Sequence, residues 1–410
     1  MLRMAWRNLW RNRRRTLITL ASIAFGVLLA ATMGGLTNYK YKEMVDQNAR
    51  MGIGHLTVQA HGYLAAPSLK LRLSAVTPLR QRVLAEPGVL AAYPHLQGPA
   101  LFATAARNVG GLFIALNPAI ETVADNVFLG SINSGAAFKR TDEAAAVVGD
   151  GLARKLKLRL GQKLVVTAND VHGQMASVLL RLVGTFHTGV AEVDDAGALL
   201  PLGTAANLLG YDKDQATSLA VMLDDNRESR AVAARLQLRL ARPDLEVKPW
   251  NETLPQVDGL IKVDKVTRRL VLLVLGLMIA MGVLNTSLMS VIERRREFGV
   301  MLALGLSPWN LVRLVLTEAL LTGLSGLALG VLVSAPWIWY LMVHGLDLSG
   351  MIQGGVEVNG AMFRPQIFAI LYPITLITIA GVTLGLVLGA GIYPAWKAGS
   401  VPPMDAIRND

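Results

Sequence analysis

Four stretches of this chain are long, apolar and nearly free of formal charge: Thr16–Leu36, Leu270–Ile292, Leu311–Val343 and Ile367–Ile392. A bilayer core requires ~20 such residues in a helix, and the first stretch supplies 21 with no charge at all. Composition agrees: 52% of the residues are hydrophobic and the mean hydropathy is +0.42, too apolar for an ordinary soluble domain. The expected fold is an α-helical membrane protein with four transmembrane helices plus a large α/β domain between helices 1 and 2. The first stretch exceeds the apolar core of a signal peptide and continues into TNYKYKEMVDQNAR, so it reads as an uncleaved span. The third is long enough to tilt or to break at Pro336, and the fourth is expected to stop before Pro394.

The formal charge of +11 is unevenly distributed. Arg3, Arg7, Arg11, Arg13, Arg14 and Arg15 precede the first apolar stretch, which favours membrane orientation over nucleic acid as their role. With four spans, that cluster, Arg294–Arg296, Arg313, Lys397 and Arg408 all fall on one side, while His344–Gln366 carries only Arg364. The bias places both termini in the cytoplasm, and the domain of roughly 220 residues between the first two spans outside it. Lys262, Lys265, Arg268 and Arg269 run against the bias and read as a solvated or headgroup-facing shoulder. The predicted divisions are a cytoplasmic segment 1–15, spans 16–37, 270–292, 311–343 and 367–393, a periplasmic domain 38–263, a coupling segment 293–310, a periplasmic loop 344–366 and a cytoplasmic tail 394–410.

Within the large domain, 52–60 reads as a strand, Thr77-Pro78 as the start of a helix, and LFATAAR and GLFIALNP as strands. AAAVVGDGLARKLKL reads as a strand, a glycine turn and a short helix; KLVVTAND and MASVLLRLVGTF form a hairpin. LAVMLDD, NRESRAVAARLQLRL and LEVKPW are strand, helix and strand. The strand-rich part, 118–214, is expected to interrupt an α/β unit made of 38–117 and 215–250.

Between the second and third spans lies IERRREFGVMLALGLSPWNLVRLVLTE. Phe298–Leu306 is amphipathic and too short to cross a bilayer, and Ser307-Pro308 reads as an N-cap with proline at the first helical position. Such a charged hinge is what a permease would offer a soluble motor. The candidate coupling residues are Glu293, Arg294, Arg295, Arg296, Glu297, Phe298, Gly299, Leu302, Leu306 and Pro308.

Chemistry is absent from the motifs. There is no GxxxxGK[ST], so the chain lacks a phosphate-holding P-loop. No HExxH or GxSxG occurs, and there is no cysteine. The expectation is no catalytic, cofactor or metal site, with Glu192, Asp194 and Asp195 as a solvated loop. Gly326 and Gly330 in the third span, and Gly381, Gly385 and Gly389 in the fourth, recur every four residues, a spacing that admits close helix contact. Glu318 is an intramembrane acid that must face protein or a wet cavity, with Arg313 as its expected partner.

MAWRNLWRNRRRTLITLASIAFGVLLA, VIERRREFGVMLALGLSPWNLVRLVLTEALLTGLSGLALG and YPAWKAGSVPPMDAIR together resemble the permeases of lipoprotein-release, macrolide-exporter and FtsX-type ABC transporters. Within the large domain, ARNVGGLFIALNP, VVGDGLARKLKLRLGQKLVV and LRLVGTFHTGVAEVDDAGALLPL look most like LolC and LolE. The resemblance implies an inner-membrane location and a porter-like outer domain with a β-rich insert. It implies two copies of a cytoplasmic ABC ATPase, which would bind ATP and Mg, and a second permease copy, like or unlike. A periplasmic carrier or adaptor and membrane lipids would be further partners, nucleic acid not. It implies mechanotransmission, with the hinge received by the ATPase and the outer domain moved in response. In LolC the hairpin at Val165–Leu180 carries an extended hook that recruits a carrier; here the turn spans only about Asn169–Gln174. The expected function is extraction of lipoproteins or lipid-like molecules; the alternatives are a drug or peptide efflux permease and a signalling module that activates a cell-wall hydrolase.

Overall fold

The computed structural model describes residues 2–347, 356–358, 361–363 and 366–400. A short helix, α1 (Leu2–Leu9), precedes a long one, α2 (Arg13–Asn48). No proline interrupts α2, so it continues well beyond Leu36. It ends in a wide turn, Ala49–Ile53, in which Gly52 has φ +96°. That left-handed conformation costs a glycine little and other residues much.

The described residues form two compact units. The inter-span domain, 41–261, contains β1 (Leu56–Ala60), α3 (Val76–Leu84), β2 (Val89–Ala103), β3 (Asn108–Leu116), β4 (Ile132–Gly135), β5 (Ala145–Gly149), α4 (Asp150–Leu156), β6 (Lys163–Asn169), β7 (Met175–Phe186), α5 (Ala191–Ala196), β8 (Gly197–Pro201), α6 (Leu202–Leu209), β9 (Ser218–Leu223), α7 (Ser229–Leu240) and β10 (Leu245–Pro249). Its first lobe is an antiparallel sheet in the order β10-β1-β9-β2. With α3 and α7 this is a β-α-β-β-α-β arrangement, closed over Leu56, Val58, Leu79, Val221 and Leu236. The helix α3 starts at Val76 behind a left-handed Ala75 (φ 54°), and Thr77 hydrogen-bonds Asp214 instead of capping the helix.

The second lobe is a ring of strands. β2 pairs with β3, β3 with β8, β8 with β5, β5 with β7, β7 with β6, and β6 returns to β2. Leu96, Phe102, Phe113, Val148, Leu164 and Leu180 are buried together there. The lobe boundary differs from the expected 118–214. β2 serves both lobes: Val89–His95 pair with β9, and Leu96–Ala103 with β3. No loop marks this boundary: one extended strand runs through Pro94 and Gly98-Pro99 and changes partners. Thr217 closes the neck, its N–H and hydroxyl both donating to the His95 carbonyl, at 3.0 and 2.9 Å. The β5–α4 junction likewise has no separate glycine turn: Gly149 caps a helix that begins at Asp150. The β6–β7 turn is short, with Asp170 Oδ1 accepting from the N–H groups of His172 and Gln174, both at 2.8 Å.

The membrane unit contains α1, the first part of α2, and the last part of α8 (Pro255–Glu293), then α9 (Arg295–Ala303), α10 (Pro308–Val343) and α11 (Pro373–Gly399). Among the described residues, four helices are long and apolar enough to cross a membrane. α10 is unbroken at Pro336, and α11 runs through Pro394 to Gly399. A proline removes one helical hydrogen bond, and a packed membrane helix tolerates that; Pro394 is buried. α11 begins at Pro373 and not at Ile367, which pairs with Leu346 in a two-residue strand.

The glycines divide by helix. A Cβ added at Gly326 would lie 2.8 Å from Ile23, and one at Gly330 2.7 Å from Val27, so α10 meets α2 along this ridge. A Cβ at Gly381, Gly385 or Gly389 would meet nothing within 4 Å. Among the described residues, nothing packs closely on these three. The opposite face of α11, through Val387, Gly391, Ala395 and Ala398, is the buried one.

Candidate functional site

α8 ends at Glu293 because Arg294 leaves helical geometry (φ −100°, ψ 11°). α9 follows for nine residues, and Gly305 turns the chain with φ +94°. The Ser307 side chain accepts the Asn310 N–H at 3.4 Å, with Pro308 in the first turn of α10. The restart legible in Ser307-Pro308 is therefore present.

Two stripes run along α9. Phe298 is fully buried against Val291, Leu311, Val315, Ala395 and Ala398. Gly299 is also buried, while Leu302 and Leu306 are half-buried. Residues four apart share a helix face, so Phe298 and Leu302 define the inner stripe. The outer stripe is Arg296, Val300 and Leu304, the last 83% exposed. Arg295, Pro308 and Trp309 are exposed with it. Val300, Leu304 and Trp309 were not among the expected coupling residues. The spacing of four was readable for both stripes, but both are apolar, and only packing reveals which one is covered.

The charged members also separate. Arg294 is only 8% exposed and points inward. Its Nη1 donates to both Glu318 oxygens at 2.9 and 3.1 Å, its Nε to Glu297 at 3.2 Å, and its guanidinium lies 4.8 Å from the Phe298 ring centre. Asn8 Nδ2 donates to Glu318 at 2.7 Å. Arg11 pairs with Glu297, while Arg15 and Asn12 reach Glu293 at 3.1 and 3.2 Å. The Arg11 hydrogen bond, then Arg294, hold the Glu297 carboxyl below its ordinary range against partial burial. A polar cavity of about 220 Å³ lies beside this network, lined by Arg15, Thr19, Thr286, Ser290, Glu318 and Thr322. The expected Arg313–Glu318 pair is not formed: Arg313 sits over the Trp309 ring at 5.4 Å. Five residues along a helix is about 140° around it, whereas the break at Arg294 brings a cation directly to Glu318.

One cluster elsewhere has metal-ligand chemistry. Ligand atoms of Asp150, His187 and Asp194 lie within 4.8 Å of one another. Asp194 is buried, unlike the solvated loop expected at 192–195, and accepts from Thr188 N, Thr188 Oγ1 and Gly189 N. Asp150 is paired with Arg154 at 2.7 Å. These bonds make the cluster a brace for the turn before α5.

Residues 16–238 match the model for a MacB-like periplasmic core domain, and 269–403 match the FtsX-like permease C-terminal model. This chain belongs to the FtsX/MacB family of ABC transporter permeases. Among similar curated proteins, the lipoprotein-releasing system transmembrane protein LolC of Neisseria meningitidis serogroup B is 26% identical, over 96% of this permease and 94% of LolC. LolE of Haemophilus influenzae is 22% identical over 65% of each chain. The macrolide export ATP-binding/permease protein MacB of Marinobacter nauticus is 25% identical over all of this permease but only 60% of its own length. In the permease, the expected coupling residues thus differ in position: Arg295 and Arg296 are exposed beside Val300, Leu304 and Trp309, while Arg294 and Glu297 are held in the network with Glu318.

Proposed function

We propose that this permease is driven by a separate ABC ATPase docked on the outer stripe of α9, and that it releases lipoproteins or related lipid-like molecules from the inner membrane. The observation that carries the reading is α9 itself. Its inner face is locked by Phe298 and the Arg294–Glu318 pair, while Leu304 and Trp309 stand out at 83% and 58% exposure beside two free-standing arginine positions, 295 and 296. An exposed apolar surface rimmed by charge is what a protein partner covers. In this reading α9 and both termini are cytoplasmic, the inter-span domain is periplasmic, ATP and Mg²⁺ bind the ATPase, and two permease copies assemble.

The near full-length match to LolC favours lipoprotein release. Export through a periplasmic tunnel is the second reading. It draws on the short Asp170–Gln174 turn, which offers little to a carrier, and on the matches to macrolide and pyoverdine exporters. The test is reconstitution in lipid with the ATPase that co-purifies with the chain. Leu304→Ser should leave folding intact and lower permease-stimulated ATP hydrolysis at least fivefold. Turnover equal to wild type would remove α9 as the docking surface. Mass spectrometry of co-purifying acylated protein, against small molecules, separates the two cargo readings.

A further inference from the structure

We propose that His95 is a positioning residue, the joint through which the end of α2 moves both lobes of the inter-span domain. The proposal rests on the permease reading above and goes beyond it.

His95 stands at the neck, the last residue of β2 to pair with β9 before the strand enters the ring lobe. Its backbone carbonyl takes both bonds from Thr217, on the strand returning from that lobe. Its ring, 1% exposed, reaches two more elements. Nδ1 is 2.9 Å from the carbonyl of Gly52, in the turn that ends α2. Nε2 is 2.9 Å from Glu121, whose other oxygen accepts Asn126 Nδ2 at 2.7 Å; Asn126 in turn caps the turn at Val127–Gly130 beside the ring lobe. One imidazole thus joins the α2 terminus, the first lobe and the second.

The chemistry makes the joint stiff. A carbonyl cannot donate, so Nδ1 carries a proton. A second proton is held between Nε2 and Glu121, and the bond there is charge-assisted. Burial opposes charge on the imidazole, but Glu121 and the Gly52 carbonyl together raise its pKa. His55 is the contrast. Its Nδ1 accepts the Leu223 N–H and its Nε2 faces Asp46, both at 2.9 Å, so one nitrogen meets a donor where both nitrogens of His95 meet acceptors. Sliding α2 against either lobe would strand a buried polar partner of His95, and buried unpaired groups are costly. The three elements therefore move together.

The chain contains no cysteine, so introduced thiols label cleanly. Spin labels at Ser22→Cys paired with Gln174→Cys, and at Ser22→Cys paired with Leu238→Cys, read the ring lobe and the first lobe respectively. The full permease, with its ATPase in lipid and diluted into unlabelled copies, should show ATP-dependent distance changes for both pairs. Glu121→Ala should remove at least half of the Gln174 change and leave the Leu238 change and ATP hydrolysis intact. Glu121→Gln should restore it, since an amide donates to neutral Nε2 and still accepts from Asn126. His95→Gln should weaken both changes. Equal movement in Glu121→Ala and wild type overturns the joint. Absence of any ATP response in the wild type overturns the permease reading instead, and the proposal with it.

Discussion

The buried pairs at the hinge, Arg294–Glu318, and at the neck, His95–Glu121, are built differently. At the hinge, Arg294 and Glu318 are largely buried beside a polar cavity, and the network continues outward to Arg11, whose side chain is 62% exposed. At the neck, His95 and Glu121 are 1% and 2% exposed and every bond ends on protein. Surface pairs exchange with water and hold weakly, whereas a sealed pair either stays whole or leaves a stranded charge. The hinge can therefore loosen from its rim inward while its centre holds; the neck has no rim. A segment that receives a partner benefits from the first design, and a joint that transmits displacement from the second.

The largest expected effect is at the hinge centre. Glu318→Leu takes both acceptors from Arg294 Nη1 and leaves the buried guanidinium only the half-exposed Glu297 as an acid partner; it should cost about 3 kcal/mol, read as a drop in melting temperature in detergent. Arg294→Met with Glu318→Leu should recover most of that loss. If the single substitution is neutral, the centre does not hold the hinge and the comparison fails.

The next effect sharpens the neck. Because the folded pKa of His95 is raised, its contribution is fully present below the unfolded value of about 6.5 and is lost as pH rises through the folded value. The titratable group that faces it is Glu121. Thermal stability should thus decline on the alkaline side of pH 6.5, and Glu121→Gln should flatten the decline. An unchanged pH profile in Glu121→Gln would show that the pair holds no extra proton.

The smallest effect separates the two glycine ridges. Gly326→Val drives atoms into Ile23 and should cost about 1–3 kcal/mol. Gly385→Val meets nothing within its own chain and should leave the isolated permease unchanged. Equal melting points for the two would mean that α10 and α2 are not in contact at this ridge.

Much of the architecture was legible before any coordinates. The apolar stretches mark the four long helices because the bilayer length is a property of local sequence. Ser307-Pro308 marks the α10 start because capping is local too. The β6–β7 hairpin was readable from alternation across a polar turn. Other features were not. Pro394 read as a stop and Pro336 as a break or a tilt, since the packing that buries Pro394 is not visible in local sequence. The ring lobe was expected to begin at 118 because β2 changes partners at Leu96 without a turn.

What the sequence determined alone was what is set within one turn of helix or one strand pair: the four long apolar helices, the Ser307-Pro308 cap and the β6–β7 hairpin. What only the tertiary structure decided was partnership. Arg294 and not Arg313 pairs with Glu318, Phe298 is covered while Leu304 is bare, and the His95 ring faces two acceptors while the His55 ring accepts the Leu223 N–H. Each choice depends on which distant segment arrives to displace water, and burial, unlike helix periodicity, is not a local quantity.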